Sequence, residues 1–235
     1  DGIVLIEDSK IANAKMRIFN LDGSEGKMAG NSIRCVGKYL YDNGFVDKDR
    51  ITVETASGIK VLDLFTRNGK VSSVTVNMGK AYLEPKQIPV LLDGDIINDR
   101  KVKIGGSKYN ITCVSMGNPH CIVFVDNVDK IDIEKTGPQF ENAPIFPERV
   151  NTEFVRIVNE HTIKMRVWER GNGETLACGT GACAAAVAAV LNGKCAKGED
   201  ITVKLRGGDL IVNYTDDRVL LTGDCNLVFT GEIEY

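Results

Sequence analysis

Short segments in which apolar and polar side chains alternate, or in which a few apolar residues run together, recur along most of the chain. Ile51–Glu54, Lys60–Phe65 and Val71–Asn77 predict three strands, and Ile201–Leu205, Leu210–Tyr214 and Val219–Thr222 predict three more. Ile111–Ser115 and Cys121–Val125 read the same way. Met16–Phe19 and Met165–Trp168 predict further strands, each running into a polar, Gly-rich loop. Helices are predicted over Asn31–Asp42 and Thr180–Leu191, and Asn-Gly follows each as a stop signal. The second of these is nearly all Ala, Cys, Val and Leu, so it should be buried on every side.

These elements are organised by an internal repeat. Lys15-Met16-Arg17 recurs 149 positions later as Lys164-Met165-Arg166. The same offset pairs Ile18-Phe19 with Val167-Trp168, Glu25 with Glu174, Gly30 with Gly179 and Asn43-Gly44 with Asn192-Gly193. After a one-residue insertion, Ile51-Thr52-Val53 matches Ile201-Thr202-Val203 and Gly58 matches Gly208. Matches in one order with a single shift argue for two similar halves, each with strands around a helix. The second half has strand-like segments before Met165, whereas only fifteen residues precede Met16. The symmetry therefore leads us to expect several strands' worth of sequence ahead of Asp1.

Composition narrows the partners. The 235 residues carry a net charge of −3 with no basic block, which speaks against nucleic acid. The longest apolar run, Ala182–Leu191, is half of what spans a bilayer, so no membrane span is expected. The seven cysteines are an odd number and form no Cys-x-x-Cys pair, which predicts neither a disulfide framework nor a structural zinc site. Reduced thiols in a cytoplasmic protein are the expectation, and no signal peptide is evident.

Candidate chemistry gathers at two equivalent loops, Glu25–Asn31 and Glu174–Thr180. In each, a small residue stands just before a Gly and a capping residue that open a helix. A helix N-terminus offers unpaired N–H groups and about half a positive charge, which lowers the pKa of a thiol and holds an anion. Cys178 is thus placed as a base or nucleophile beside an anion site; its plain alternative is a small hydrophobe at a buried helix start. Cys35, Cys183 and Cys195 are expected to be core or inert. Gly179-Thr-Gly181-Ala-Cys-Ala184 fits the weak G-x-G-x-x-A dinucleotide pattern, but the residues before it make a poor strand. In Met116-Gly-Asn118-Pro-His120, His120 sits at a loop–strand junction, where an ordinary turn histidine is the alternative. Glu169-Arg170 could equally be an exposed ion pair worth little.

These residues together resemble the diaminopimelate epimerase family over essentially the whole chain. The carrying motifs are Phe19-Asn20-Leu-Asp-Gly-Ser-Glu25, Gly30-Asn31-Ser-Ile-Arg-Cys35, Ser115-Met-Gly-Asn118-Pro-His120 and Phe146-Pro-Glu-Arg149. The longest runs from Trp168-Glu169-Arg170 through Glu174-Thr-Leu-Ala-Cys178-Gly179-Thr180-Gly181-Ala-Cys183. The resemblance implies an α+β fold of two pseudo-symmetric domains, each a barrel-like, mostly antiparallel sheet around a central helix, with the active site in the cleft between. It sets the domains at 1–79 with 224–235 and at 80–223. It implies interconversion of LL- and meso-diaminopimelate, on the route to lysine, with no cofactor and no metal, and it is compatible with a homodimer. Two cysteines would face the α-carbon from opposite sides, one as thiolate and the other as thiol. Cys178 would be one of the pair, with His120 and Glu169 tuning the thiols. Asn20, Gly30, Asn31, Asn118, Asn151, Glu169, Arg170, Gly179 and Thr180 would bind substrate.

Two departures stand out. The resemblance puts the second cysteine where this chain has Ala29, and alanine neither gives nor takes a proton. Half of the two-base mechanism is therefore expected to be missing. The family's opening Gly-Asn-bearing strand is also not found before Asp1, in agreement with the repeat. Two alternatives share the fold: an isomerase of another small acid, and a non-catalytic binder of an amino acid.

Overall fold

The computed structural model describes residues 2–20, 23–26 and 28–232; Leu21, Asp22 and Lys27 of the first loop lie outside the described residues. The chain clusters into two compact units, residues 1–76 with 222–235 and residues 77–221.

In the first unit, strand β1 (Gly2–Glu7) runs antiparallel to β2 (Ala14–Asn20), which is followed by the two-residue β3 (Glu25–Gly26) and helix α1 (Gly30–Asp42). Strands β4 (Arg50–Thr55), β5 (Gly58–Arg67) and β6 (Lys70–Gly79) then form a meander, giving the order β1-β2-β4-β5-β6. The β2–β4 contact is parallel because α1 is its crossover. Alternation along β4, and along β6 on either side of a register shift between Val71 and Ser73, puts Ile51, Val53, Val71, Val74, Val76 and Met78 inside. Gly37 lets α1 lie close on β5: a Cβ there would come within 2.9 Å of Leu62 and 3.0 Å of Leu64.

The second unit opens with β7 (Arg100–Ile104), β8 (Ser107–Ser115) and β9 (Pro119–Phe124), then helix α2 (Ile133–Glu141). It continues with β10 (Asn151–Asn159), β11 (Thr162–Glu169), β12 (Gly173–Thr175), α3 (Gly179–Leu191), β13 (Asp200–Leu205) and β14 (Gly208–Tyr214). Strand β15 (Val219–Asp224) leads the chain back to the first unit. The strand order is β14-β13-β11-β10-β9-β8-β7, with β12 paired to β11. Ala182–Ala189 are all fully buried, as the composition required, and α3 packs on strands from β8 to β14. A second core lies between α2 and β7–β10, around Phe140, Phe154, Ile111 and Ile133. Gly137 of α2 faces the Trp168 ring so closely that an added Cβ would lie 2.3 Å from it.

The repeat is visible atom for atom in the registers. Thr152↔Trp168 and Val155↔Met165 in β10–β11 correspond to Ile3↔Phe19 and Ile6↔Met16 in β1–β2. Ile163↔Val203 corresponds to Ala14↔Val53, and Trp168↔Glu174 to Phe19↔Glu25. Even the guanidinium–carboxylate forks match: Arg17 Nε to Glu25 is 2.8 Å, and Arg166 Nε to Glu174 is 2.7 Å. The fifteen residues before Met16 thus hold β1, the match of β10, a strand that the sequence reading did not draw.

The reading wrapped both helices in strands and expected the first half to be short of several; among the described residues α3 is covered all round and α1 is not. The strands β7–β9 have no match among the described residues of the first unit, so α1 buries Ile33, Val36, Gly37 and Leu40 and exposes Cys35 and Tyr39. Beside that open face lies a mostly apolar cavity of about 390 Å³ lined by Val4, Ile6, Val36, Tyr39, Cys225 and Leu227. Cys35, expected to be core or inert, is exposed; Cys183 and Cys195 are buried as expected, and all seven cysteines are free. Among the described residues no helix is long and apolar enough to cross a membrane.

Candidate active site

Cys178 is the N-cap of α3, with extended backbone at φ −129° and ψ 113°. Ala29 is the N-cap of α1 with nearly the same angles, −138° and 122°, but its methyl makes no cap hydrogen bond. The Cys178 thiol accepts from Gly181 N at 3.3 Å, and Ala182 N donates to the Cys178 carbonyl at 2.9 Å. The amides of Gly179 and Thr180 stand ahead of the helical ladder, where a helix leaves its first N–H groups without intrahelical partners.

Beneath this helix end, three neighbouring strands present a row of polar side chains. His120 is the second residue of β9 and lies opposite Asn151 of β10, and Asn151 stands one step beyond the Thr152↔Trp168 pair, toward Glu169 of β11. Two residues along β10 from Asn151, Glu153 points to the same face. The hairpin before His120 turns at Gly117, whose φ of +96° few other residues adopt. His120 is fully buried, and its Nδ1 lies 2.7 Å from Glu153 Oε1. Asn118 Oδ1 meets His120 Nε2 at 3.1 Å, while Asn118 Nδ2 donates to Thr180 Oγ1 at 3.2 Å. That hydroxyl is 3.6 Å from the Cys178 sulfur. A continuous polar chain therefore links Glu153, His120, Asn118, Thr180 and Cys178.

Electrostatics reverse one expectation. Burial, followed by the charges of Glu169 and Glu153, pushes the Cys178 thiol well above its ordinary pKa; Thr180 and the Gly181 amide oppose this more weakly. A helix N-terminus was expected to lower it. One N–H and a helix dipole do not outweigh a 7% exposed sulfur facing two carboxylates. Resting Cys178 is a thiol, an acid. Burial also raises Glu169, against the Thr175 hydroxyl that donates to its Oε1 at 2.5 Å.

Other candidates have different surroundings. Asn151 spans the site's floor: its Nδ2 donates to Pro119 O at 3.0 Å and its Oδ1 accepts from Arg170 N at 2.8 Å. Glu169 and Arg170 are not an ion pair, since Arg170 donates to the Glu148 carbonyl at 2.8 Å. Asn20, Ala29, Gly30 and Asn31 belong to the first unit, where Asn20 Nδ2 donates to Ser24 Oγ and Asn31 Oδ1 is buried without a partner among the described residues. The dinucleotide pattern finds no support: Gly181 is explained by crowding, because a Cβ there would lie 2.6 Å from Glu153 Oε1 and 3.2 Å from the Cys178 sulfur.

Sequence reasoning missed Glu153 and Thr175. The only signal for Glu153 was a carboxylate inside the apolar stretch Phe154-Val155 with Thr152; its partner is 33 residues away.

The family model described as diaminopimelate epimerase matches residues 1–84 and 112–228. The diaminopimelate epimerase of Acetivibrio thermocellus is 53% identical over all of this chain, which covers 84% of that protein. That of Methanococcus maripaludis is 51% identical with the same coverage. Among solved structures, a hydroxyproline epimerase from Agrobacterium vitis superposes with a TM-score of 0.69 at 16% identity, over 95% of this chain and 71% of the other. A phenazine biosynthesis protein of the PhzF family from Bacillus anthracis gives 0.68 at 17% identity, over 94% and 80%. The chain shares the fold of these proteins, and it belongs to the diaminopimelate epimerase family of isomerases.

Proposed function

We propose that the chain binds diaminopimelate and exchanges a proton with its α-carbon through Cys178, and that Ala29 deprives it of the second acid–base group that inversion needs. The observation that carries this reading is the buried Cys178 thiol at a helix N-terminus, beside the charges of Glu169 and Glu153 and linked through Thr180 and Asn118 to His120. The identity of half the chain with proteins named for that reaction supports the substrate.

The chemistry follows from the residues. The Gly179 and Thr180 amides take the α-carboxylate, and their hydrogen bonds strengthen as charge from the α-carbanion spreads onto it. In the minor fraction in which it is a thiolate, Cys178 takes the α-proton from one face of the carbon as S–H, leaving the electron pair on the carbon, and returns a proton to that same face to become the thiolate again. Inversion requires that the proton leave one face and arrive at the other, so one thiol alone returns the starting stereoisomer. Position 29 matches position 178 in the repeat, and an alanine methyl there transfers nothing.

Isothermal calorimetry tests the binding half. Saturable binding of LL- or meso-diaminopimelate without turnover is expected; absence of heat with both stereoisomers would contradict the reading. An isomerase of another small acid would instead turn that acid over despite Ala29.

A further inference from the structure

Two thiols that the proposed chemistry does not use face each other across β8 and β9, where Cys113 lies directly opposite Cys121. The backbone around this pair fixes its type. Cys113 N donates to Ile97 O at 2.9 Å, and Ser115 exchanges both of its backbone hydrogen bonds with Tyr82, so these two residues turn their amides away from β9. Cys113 and Cys121 are therefore a non-hydrogen-bonded pair. In such a pair the Cα atoms stand about 4.5 Å apart and the side chains come closest. A disulfide spans Cα separations of roughly 4.4–6.8 Å. The sulfurs are already within reach, since Cys121 shares a side-chain hydrogen bond with Cys113. Both thiols are free, and they are 1% and 0% exposed.

Alternation along β9 points Cys121 away from the face that carries His120, into the core around Ile111, Ile133, Phe140 and Phe154. That core decides which modification fits. Alkylation, or oxidation to sulfinic acid, adds atoms to a packed interior, whereas joining the two sulfurs only removes two hydrogens. We infer that Cys113 and Cys121 form a modification site, a dithiol that hydrogen peroxide converts into a cross-strand disulfide. The Cys113 sulfur attacks one peroxide oxygen and loses its proton; the O–O bond breaks, giving a sulfenic acid and water. The Cys121 sulfur then attacks the Cys113 sulfur, so that the S–S bond forms and the S–O bond breaks. The departing hydroxide takes the Cys121 proton and leaves as a second water. Burial, with Cys113 and Glu153 close by, pushes the Cys121 thiol well up, so it keeps its proton through the first step. The bridge staples the base of the turn that carries Asn118 and runs into His120, two members of the polar chain that ends at Cys178.

Peptide mapping tests this on the unmodified protein. Trypsin cuts after Lys108 and Lys130, so a single peptide, residues 109–130, holds Cys113, Cys121 and no other cysteine. The folded protein is exposed to a hydrogen peroxide series running from below to well above what oxidises the exposed Cys35. It is then unfolded in iodoacetamide and digested. Without peroxide, both cysteines of the peptide should carry the label. With peroxide, the peptide should lose both labels and be about 2 Da lighter than the free dithiol, with any Met116 sulfoxide counted separately by fragmentation. Dithiothreitol before alkylation should restore both labels. In Cys113→Ser, Cys121 should stay labelled at the doses that bridge the parent. A peptide that keeps both labels throughout the series, gains sulfinic acid on either cysteine instead, or is bridged to a different cysteine would overturn the inference.

Discussion

Glu169 shows how the site's carboxylates work against the fold that holds them. Its folded-state pKa is raised above the ordinary 4.5, chiefly by burial. A raised acid binds its proton more tightly when folded. It therefore stabilises the protein below the unfolded value and loses that contribution as pH rises through the folded value. At neutral pH an ionised Glu169 is a cost. Glu169→Gln keeps an acceptor for Thr175 and removes the charge, so its stability relative to the parent should improve between pH 4.5 and pH 7.5. Urea melts at both values measure this; an equal difference at the two pH values would contradict it. The buried His120–Glu153 pair follows a related logic: removing one partner leaves the other desolvated, at a cost of about 3–5 kcal/mol. A sequence shows such a residue as one polar letter among apolar ones and gives no sign of which partner satisfies it. Glu153 was therefore overlooked, whereas Cys178 and His120 stood in loops marked by Gly and Pro.

Among the elements, α3 is the one that turns composition into a site. Its small side chains let six strands approach, and Gly181 leaves room for Glu153 under the first turn. Gly181→Ala gains about 1 kcal/mol of helix propensity. It also forces a methyl to 2.6 Å from a carboxylate oxygen that cannot retreat without breaking the His120 contact. Overpacking costs about 1–3 kcal/mol, so a net loss in denaturation free energy is expected; a stabilised variant would mean that Glu153 has space the structure does not give it. Elements bounded by clear signals were legible in advance. Gly and Asn-Gly framed α1 and α3, and alternation marked β4–β6 and β13–β15. Strand β10 was missed because β9 and β11 flank it and both its faces are covered up to Val155, so Asn151–Val155 has no alternation to read. Helix α2 was missed because Gly137 and Pro138 look like a loop, although Gly137 is there to seat the helix on Trp168. Strand β7, Arg-Lys-Val-Lys-Ile, has too few apolar positions to stand out.

On the scale of the whole molecule, the repeat is the organising fact, and its two copies are unequally covered among the described residues. The second unit surrounds its helix with strands; the first leaves one face of α1 beside an apolar cavity and exposes Ile3 and Leu5 on its outer strand. Fewer buried apolar contacts mean cheaper local opening. Amide exchange in Val53–Val76 should therefore proceed well below the global unfolding energy, while Ala182–Ala189 should open only globally. Uniform protection across both would contradict this. The central claim, that a diaminopimelate epimerase scaffold keeps Cys178 and lacks its partner at position 29, is tested most directly by proton NMR in deuterated water. The quantity to follow is the rate at which α-deuterated, inverted diaminopimelate forms. The unmodified chain should yield none and at most exchange one stereoisomer in place. Ala29→Cys should produce inverted, deuterated product at a rate on the order of 10²–10⁴-fold higher, the usual worth of a positioned acid or base. Adding Cys178→Ala should abolish that gain. Inversion by the unmodified chain at the rate of Ala29→Cys would contradict the account.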